Sequence, residues 1–227
     1  MTPPFERGFL MKRRDFSLAL AATSTAAAGL LGTSSAQAQA AFKAGKDFVA
    51  LSTAAPVDAP ADRIEVVEFF SYNCPHCAHF EPELEAWLKK LPKDVVFRRL
   101  PVPFLADFEP KQRMYYALEA MGKVDELQLK VFNAIHTEHL KVVGDAAIID
   151  WVAKQGVDKA KFTEFFKSFS VTGKATRAKQ LVDAYKLDGV PAMGVAGRFV
   201  TDGTMAGGMT RALQVTDFLI AEARKSR

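Results

Sequence analysis

The chain has 227 residues, 49% of them hydrophobic and 25% charged, with two cysteines and a formal net charge of +4. That apolar fraction excludes a disordered chain, and the lack of dense Gly or Pro repeats excludes a fibrous one. A chain this long builds a core without staples, so two cysteines also exclude a disulfide-scaffolded miniature domain.

The first forty residues read as a segment apart. Lys12-Arg13-Arg14-Asp15-Phe16 opens a basic stretch, an Ala-rich apolar run follows to Leu31, and Ala36-Gln37-Ala38-Gln39-Ala40 closes it. This is the layout of an export signal cleaved after Ala38 or Ala40, and the paired arginines resemble the twin-arginine (Tat-like) kind. Met11 is a plausible start. About sixteen weakly apolar residues fall short of the roughly twenty that a membrane span needs, and no cysteine near the cleavage site supports a lipid anchor. Removing the leader takes away Arg7, Lys12, Arg13 and Arg14 against Glu6 and Asp15, leaving 26 basic and 24 acidic residues. No basic run interleaved with aromatics remains, so a nucleic-acid partner is not expected. Export places the two cysteines in an oxidising compartment, the periplasm.

In the mature chain a short strand is predicted at Phe48–Leu51, before a Pro/Ala loop at Pro56–Pro60. Ile64-Glu65-Val66-Val67-Glu68-Phe69-Phe70 has the short apolar run of a strand buried on both faces. Ser71-Tyr72-Asn73 then leads to Cys74-Pro75-His76-Cys77, which opens a helix. Phe80, Leu84, Trp87, Leu88 and Leu91 line one face of that helix, Pro75 suits its first turn, and Pro82 interrupts it. Val95–Leu100 reads as a second core strand. From about Glu109 to Leu187 a 3.6-residue period predicts successive helices, with Phe162, Phe165, Phe166 and Phe169 as a core stripe and His136 and His139 as solvated helix residues. Strand character returns at Met193–Val200, then a glycine-rich turn leads into a last helix from about Thr210. The prediction is an α/β fold: a mixed sheet flanked by helices and interrupted by an all-helical insertion at about 105–187, in one domain spanning 41–227.

The chemistry centres on Cys74 and Cys77. A bridge between them closes a four-residue loop, for which loop-closure entropy gives only about 2 kcal/mol. The pair is therefore better placed for reaction than for stability. At a helix N-terminus, Cys74 faces unpaired backbone N–H groups and the positive end of the dipole, which favour a thiolate. His76 adds a donor or a positive charge. Each pKa unit by which Cys74 falls below ambient pH stabilises the reduced state by about 1.4 kcal/mol, or about 30 mV toward an oxidant. A zinc half-site is the competing reading, but no second cysteine pair is present to complete four ligands, and His79 leaves the set short. No metal or separate cofactor is expected. Glu68 is costly if buried unpaired among Val66, Val67, Phe69 and Phe70; otherwise it marks an edge position facing water.

The run Val66–Cys77, together with Gly189-Val190-Pro191-Ala192-Met193 and the helical stretch between them, resembles the DsbA family of thiol:disulfide oxidoreductases over nearly all of residues 43–225. The resemblance implies a thioredoxin-like fold, with Cys74 as nucleophile and Cys77 as buried resolving thiol. Pro75 and His76 form the dipeptide between them. Pro191 would be a cis-proline facing the cysteines, and Val190 would offer backbone groups to an extended substrate. Glu68 resembles the buried acid beneath the thioredoxin-family disulfide, which relays a proton to and from Cys77. Tyr72 and Asn73 stand where the family often has an aromatic pair, and Asn73 makes that surface more polar. The implied function is a monomeric periplasmic oxidase that donates its disulfide to exported proteins and is recharged by a DsbB-like, quinone-linked membrane partner. The alternatives are a reductase or isomerase of the same fold, and a non-catalytic metal-binding or chaperone module. Isomerases of the related type carry an N-terminal dimerisation domain, whereas about twenty residues precede the core here.

Overall fold

The computed structural model describes residues 42–226, so the leader assigned to residues 1–40 lies outside the described residues. The elements run β1 (Val49–Ala50), β2 (Ile64–Phe70), α1 (Pro75–Leu88), β3 (Val95–Pro101), α2 (Phe108–Ala120), α3 (Val124–His136), α4 (Gly144–Lys154), α5 (Lys159–Phe166), α6 (Phe169–Tyr185), β4 (Ala192–Val195), β5 (Phe199–Asp202), α7 (Gly203–Ala206) and α8 (Met209–Lys225). Five strands form one sheet in the order β1-β5-β4-β2-β3. β2 lies inside it, parallel to β3 and antiparallel to β4.

All seven residues of β2 are buried. Ile64 and Val66 pack with Phe80, Leu84 and Trp87 of α1 and with Leu219 and Ile220 of α8. Val67 and Phe69 pack on the other side, in the cluster that holds Leu181 and Tyr185 of α6 and Leu118 of α2. Each large apolar side chain removed from water in this way contributes about 1.5–3 kcal/mol. β3 lies at one edge of the sheet; its first four residues are only partly buried, though Val95 and Phe97 still pack against the core, and its buried end is Arg99–Pro101. In α1 the apolar face ends with the helix at Leu88, and Leu91 falls beyond it. Trp87 is anchored by its indole N–H, which donates to Asp217 Oδ1 at 2.8 Å.

Five helices, α2–α6, fill the chain between β3 and β4. The phenylalanine stripe assigned to their core holds for Phe162 and Phe166, which are fully buried, but not for Phe169, which is 96% exposed. Periodicity fails there because the helix does: α5 ends at Phe166, and Ser168 starts α6 afresh by accepting the Val171 N–H at 3.2 Å. Likewise the expected strand at 193–200 is two strands. Arg198 N–H donates to Val195 C=O at 2.9 Å across Ala196 and Gly197, whose φ values of 52° and 66° suit a type I′ hairpin turn. Gly194 is required by close packing, since a Cβ there would lie 2.5 Å from Tyr185 Cε1. The glycine-rich turn before the last helix contains the single-turn α7, capped by Asp202, which accepts the Met205 N–H at 2.7 Å. Among the described residues no helix is long and apolar enough to cross a membrane.

Candidate active site

β2 ends at Phe70 in the middle of the sheet, and the chain turns at once into α1. Cys74 N–H donates to Ser71 C=O at 3.0 Å, which closes a four-residue turn. Cys74 is the N-cap residue of α1, in extended conformation, with Pro75 as the first helical residue. Pro75 brings no N–H of its own, so the free donors at this helix end belong to His76 and Cys77. The two cysteines are free thiols here; Cys77 is fully buried and Cys74 is 6% exposed. Pro75 and His76 are exposed on the rim.

The two thiols are driven in opposite directions. Cys74 is lowered to about 6, chiefly because it accepts a hydrogen bond from the Cys77 thiol. The backbone N–H groups of Cys77 and His76 and the charge of His76 add to this, against the opposing effect of burial. Cys74 Sγ makes no capping hydrogen bond to α1 in this structure; as a thiol it donates to Val190 C=O at 3.3 Å, a contact that ionisation removes. Cys77 is pushed far above the ordinary thiol range, first by burial, then by Cys74 and by the charge of Glu68.

Glu68 faces Arg99 across the β2–β3 register. It is fully buried on an interior strand, which rules out the water-facing edge position. Arg99 Nε lies 3.2 Å from Glu68 Oε2, yet neither Glu68 oxygen has a hydrogen-bond partner of good geometry. The same guanidinium donates to Glu81 at 2.5 Å and to Glu85 at 2.6 Å. One cation therefore serves three carboxylates. Burial, helped by the negative charge of Glu81, pushes Glu68 up to about 8 despite the arginine, and burial also raises Glu81. At neutral pH Glu68 holds a proton inside the protein, beneath Cys77.

The Val190–Pro191 peptide is cis and brings Val190 C=O to Cys74. Beside it a surface groove of about 700 Å³ is lined by His76, Asp188, Val190, Pro191, Met205 and Met209. The structure thus gathers Cys74, Pro75, His76, Cys77, Glu68, Val190 and Pro191 around one helix end. Among the described residues, no group of three or more His, Cys, Asp or Glu side chains is placed to hold a metal.

Comparison with known proteins accounts for this arrangement. The DSBA-like thioredoxin domain family matches residues 65–214. The chain is 44% identical over 216 residues to the thiol:disulfide interchange protein DsbA of Bordetella parapertussis, covering 95% of this chain and all of that one. It belongs to the DsbA family. DsbA of Pseudomonas aeruginosa is 43% identical over 183 residues, 81% of this chain and 86% of that protein. The crystal structure of Pseudomonas aeruginosa DsbA superposes with a TM-score of 0.78 at 42% identity, over 82% of this chain and 96% of that one. Oxidoreductase DsbA from Xylella fastidiosa gives 0.75 at 31% identity, over 81% and 98%. The fold is therefore the thioredoxin-like fold of DsbA, and the chain is a thiol:disulfide oxidoreductase.

Two parts of this DsbA site escape the sequence reading. Arg99 and Glu81 complete the buried charge cluster, and the signal for Glu81 is its spacing: four residues after Cys77, it lies on the same helical face, among Phe80 and Leu84. The second is His136. It is half-buried rather than solvated, and its Nε2 lies 2.8 Å from Tyr72 C=O. His139, by contrast, is exposed beyond the helix end with φ 52°.

Proposed function

We propose that this protein is a periplasmic oxidase that donates a Cys74–Cys77 disulfide to newly exported proteins. The observation that carries the reading is the opposite displacement of the two thiols. A low Cys74 pKa favours the reduced enzyme, and therefore the transfer of the disulfide to substrate.

A substrate thiolate attacks Cys74 Sγ, the Cys74–Cys77 bond breaks, and Cys77 leaves as a thiolate. Cys77 is far more basic than Glu68, so the proton held on Glu68 passes to it and no buried thiolate persists. A second substrate thiolate then attacks the substrate sulfur of the mixed disulfide, and Cys74 departs as a thiolate stabilised by the His76 and Cys77 N–H groups. Two electrons pass from the substrate to the enzyme. Val190 and Pro191 line the side of the groove where an extended substrate chain lies. The redox-active disulfide is the only prosthetic chemistry this requires. The enzyme acts as a monomer on reduced exported proteins, and a DsbB-like quinone-linked membrane protein reoxidises it. A Tat-like leader, cleaved after Ala38 or Ala40, delivers the domain formed by residues 41–227.

The deciding experiment is the redox equilibrium with glutathione, alongside oxidation of a reduced substrate protein. The expected potential is well above the roughly −270 mV of thioredoxin, and Cys74→Ala is expected to abolish oxidation altogether. A potential as low as that of thioredoxin would replace the oxidase with a reductase. Full activity in Cys74→Ala would leave only a chaperone.

A further inference from the structure

The turn that carries Cys74 is gripped from outside the sheet by a single row of side chains on α3. Gln128, Phe132 and His136 follow one another at intervals of four residues, so they share one face of that helix. All three touch the same residue. Gln128 Oε1 accepts the Tyr72 hydroxyl at 2.6 Å. The Phe132 ring packs on the Tyr72 ring at 5.1 Å in a near edge-on geometry. His136 Nε2 meets the Tyr72 carbonyl at 2.8 Å, and since a carbonyl only accepts, Nε2 carries the hydrogen. Hydroxyl, ring and backbone of Tyr72 are each fixed by successive turns of one helix.

Of the three, only His136 acts on the backbone, at a critical peptide. Ser71–Cys74 is a turn closed by Cys74 N–H to Ser71 C=O, and Asn73 N–H also reaches Ser71 Oγ at 3.2 Å. The Tyr72–Asn73 peptide is the central one of that turn. Rotating a central peptide is how one β-turn type converts to another with little change at its ends. His136 holds the carbonyl end of this peptide plane, and Ser71 Oγ accepts from the N–H at its other end. The side-chain ties act elsewhere, Tyr72 Oη on Gln128 and the Asn73 side-chain amide on Ala106 C=O.

We propose that His136 is a positioning residue for Cys74: by holding the Tyr72 carbonyl, it fixes the Ser71–Cys74 turn that sets the Cys74 sulfur at the start of α1 beside Val190 C=O. The inference rests on the thiol–disulfide chemistry proposed above and adds a residue from the helical segment to it. His136 touches neither substrate nor sulfur, and its effect is read through Cys74.

The test compares His136→Leu, which removes the donor, with His136→Gln, which keeps a side-chain N–H. In His136→Leu the glutathione equilibrium is expected to move about three- to tenfold toward the disulfide form, the size of effect of one lost hydrogen bond. The thiolate absorbance of Cys74 should then titrate at higher pH than in the wild type. His136→Gln should stay within about twofold of the wild type, a lost fraction of one such bond. If His136→Leu lowers only the melting temperature and leaves equilibrium and titration unchanged, or if His136→Gln shifts as far as His136→Leu, the proposal falls. Should His136→Leu not fold, the wild-type protein still decides the matter. Nitrogen chemical shifts of the neutral His136 ring must show the proton on Nε2, and a proton on Nδ1 overturns the assignment. Because both variants are read against the wild type, a thioredoxin-like potential in the wild type would end the oxidase reading without touching this one.

Discussion

β2 carries two buried carboxylates three residues apart, and they have opposite fates. Glu65 lies at the start of the strand, where Arg98 forks onto both of its oxygens at 3.0 and 3.2 Å and Asp58 N–H donates to one of them at 3.0 Å. Arg98 itself remains partly open to water and reaches Asp58 as well. Glu68 lies deeper, beneath the cysteines, shares one arginine with Glu81 and Glu85, which take the hydrogen bonds from its Nη2, and has no well-directed donor on either oxygen. Both residues are equally hidden, so burial alone does not separate them. The supply of donors does. A carboxylate whose oxygens are all bonded is a strut, whereas one left short of donors finds its cheapest relief in keeping a proton, and a kept proton can be lent.

The largest effect that this contrast predicts belongs to the shared cation. Arg99→Met should destabilise the protein by about 3–5 kcal/mol, the usual result of removing one partner from a buried ionic group. Denaturant unfolding at neutral pH measures it. A loss below about 1 kcal/mol, the worth of an exposed pair, would mean that the three carboxylates around Arg99 do not depend on it.

How much of this the sequence discloses depends on whether the signal is local. The strand–Cys–Pro–His–Cys–helix order is a matter of neighbours: an apolar run, a turn and a proline at the first helical position, and it reads directly. So does the suspicion attached to Glu68, because a lone acid inside an apolar run is visible without any fold. What turns that suspicion into a site is Arg99, and the two are 31 positions apart, brought face to face only by the parallel register of β2 and β3. His136 is hidden for the same reason, since its partner is a backbone carbonyl 64 residues away. Phe169 misleads in the other direction. Its spacing from Phe162 and Phe166 is helical in the sequence, but a fresh N-cap at Ser168 resets the helix and turns the ring to solvent.

An intermediate effect separates strut from proton carrier. Glu65→Gln should cost about 1–3 kcal/mol of stability through its weakened fork with Arg98, while the glutathione equilibrium and the rate of substrate oxidation stay at wild-type values. Glu68→Gln should do the reverse. Its folding stability should not fall: it matches the wild type below about pH 5, where Glu68 is protonated folded and unfolded alike, and exceeds it near neutral pH, where unfolding the wild type releases a proton that the variant lacks. Its oxidation rate should fall by about a hundredfold, the lower end of what a positioned proton donor contributes. Stopped-flow oxidation of a reduced peptide together with denaturant unfolding measures both quantities. An unchanged rate in Glu68→Gln, or a slowed one in Glu65→Gln, would erase the distinction between the two carboxylates.

The smallest expected effect is a slope, and it tests the proton on Glu68 without any turnover. In the oxidised protein neither cysteine titrates, so the comparison of wild type with Glu68→Gln isolates the carboxyl. Glu68 holds its proton up to about pH 8 in the folded protein, whereas an exposed glutamate loses it near 4.5. Between those values the native state binds the extra proton, so folding stability is at its fullest below the unfolded value and declines as pH rises toward 8. Glu68→Gln has no such proton to lose. The stability difference should therefore move in favour of Glu68→Gln between pH 5 and 8, with a slope below the limit of about 1.4 kcal/mol per pH unit for a single proton, and level off above pH 8. The expected slope is shallower than that limit because Glu81, which burial also raises, shares Arg99 with Glu68, so the two carboxyls titrate together over a wider range. A difference that is flat across this range would place the ionised form of Glu68 in the folded protein at neutral pH and make it a second strut like Glu65. The source of the proton for Cys77 would then have to be the solvent at the rim rather than the acid beneath it.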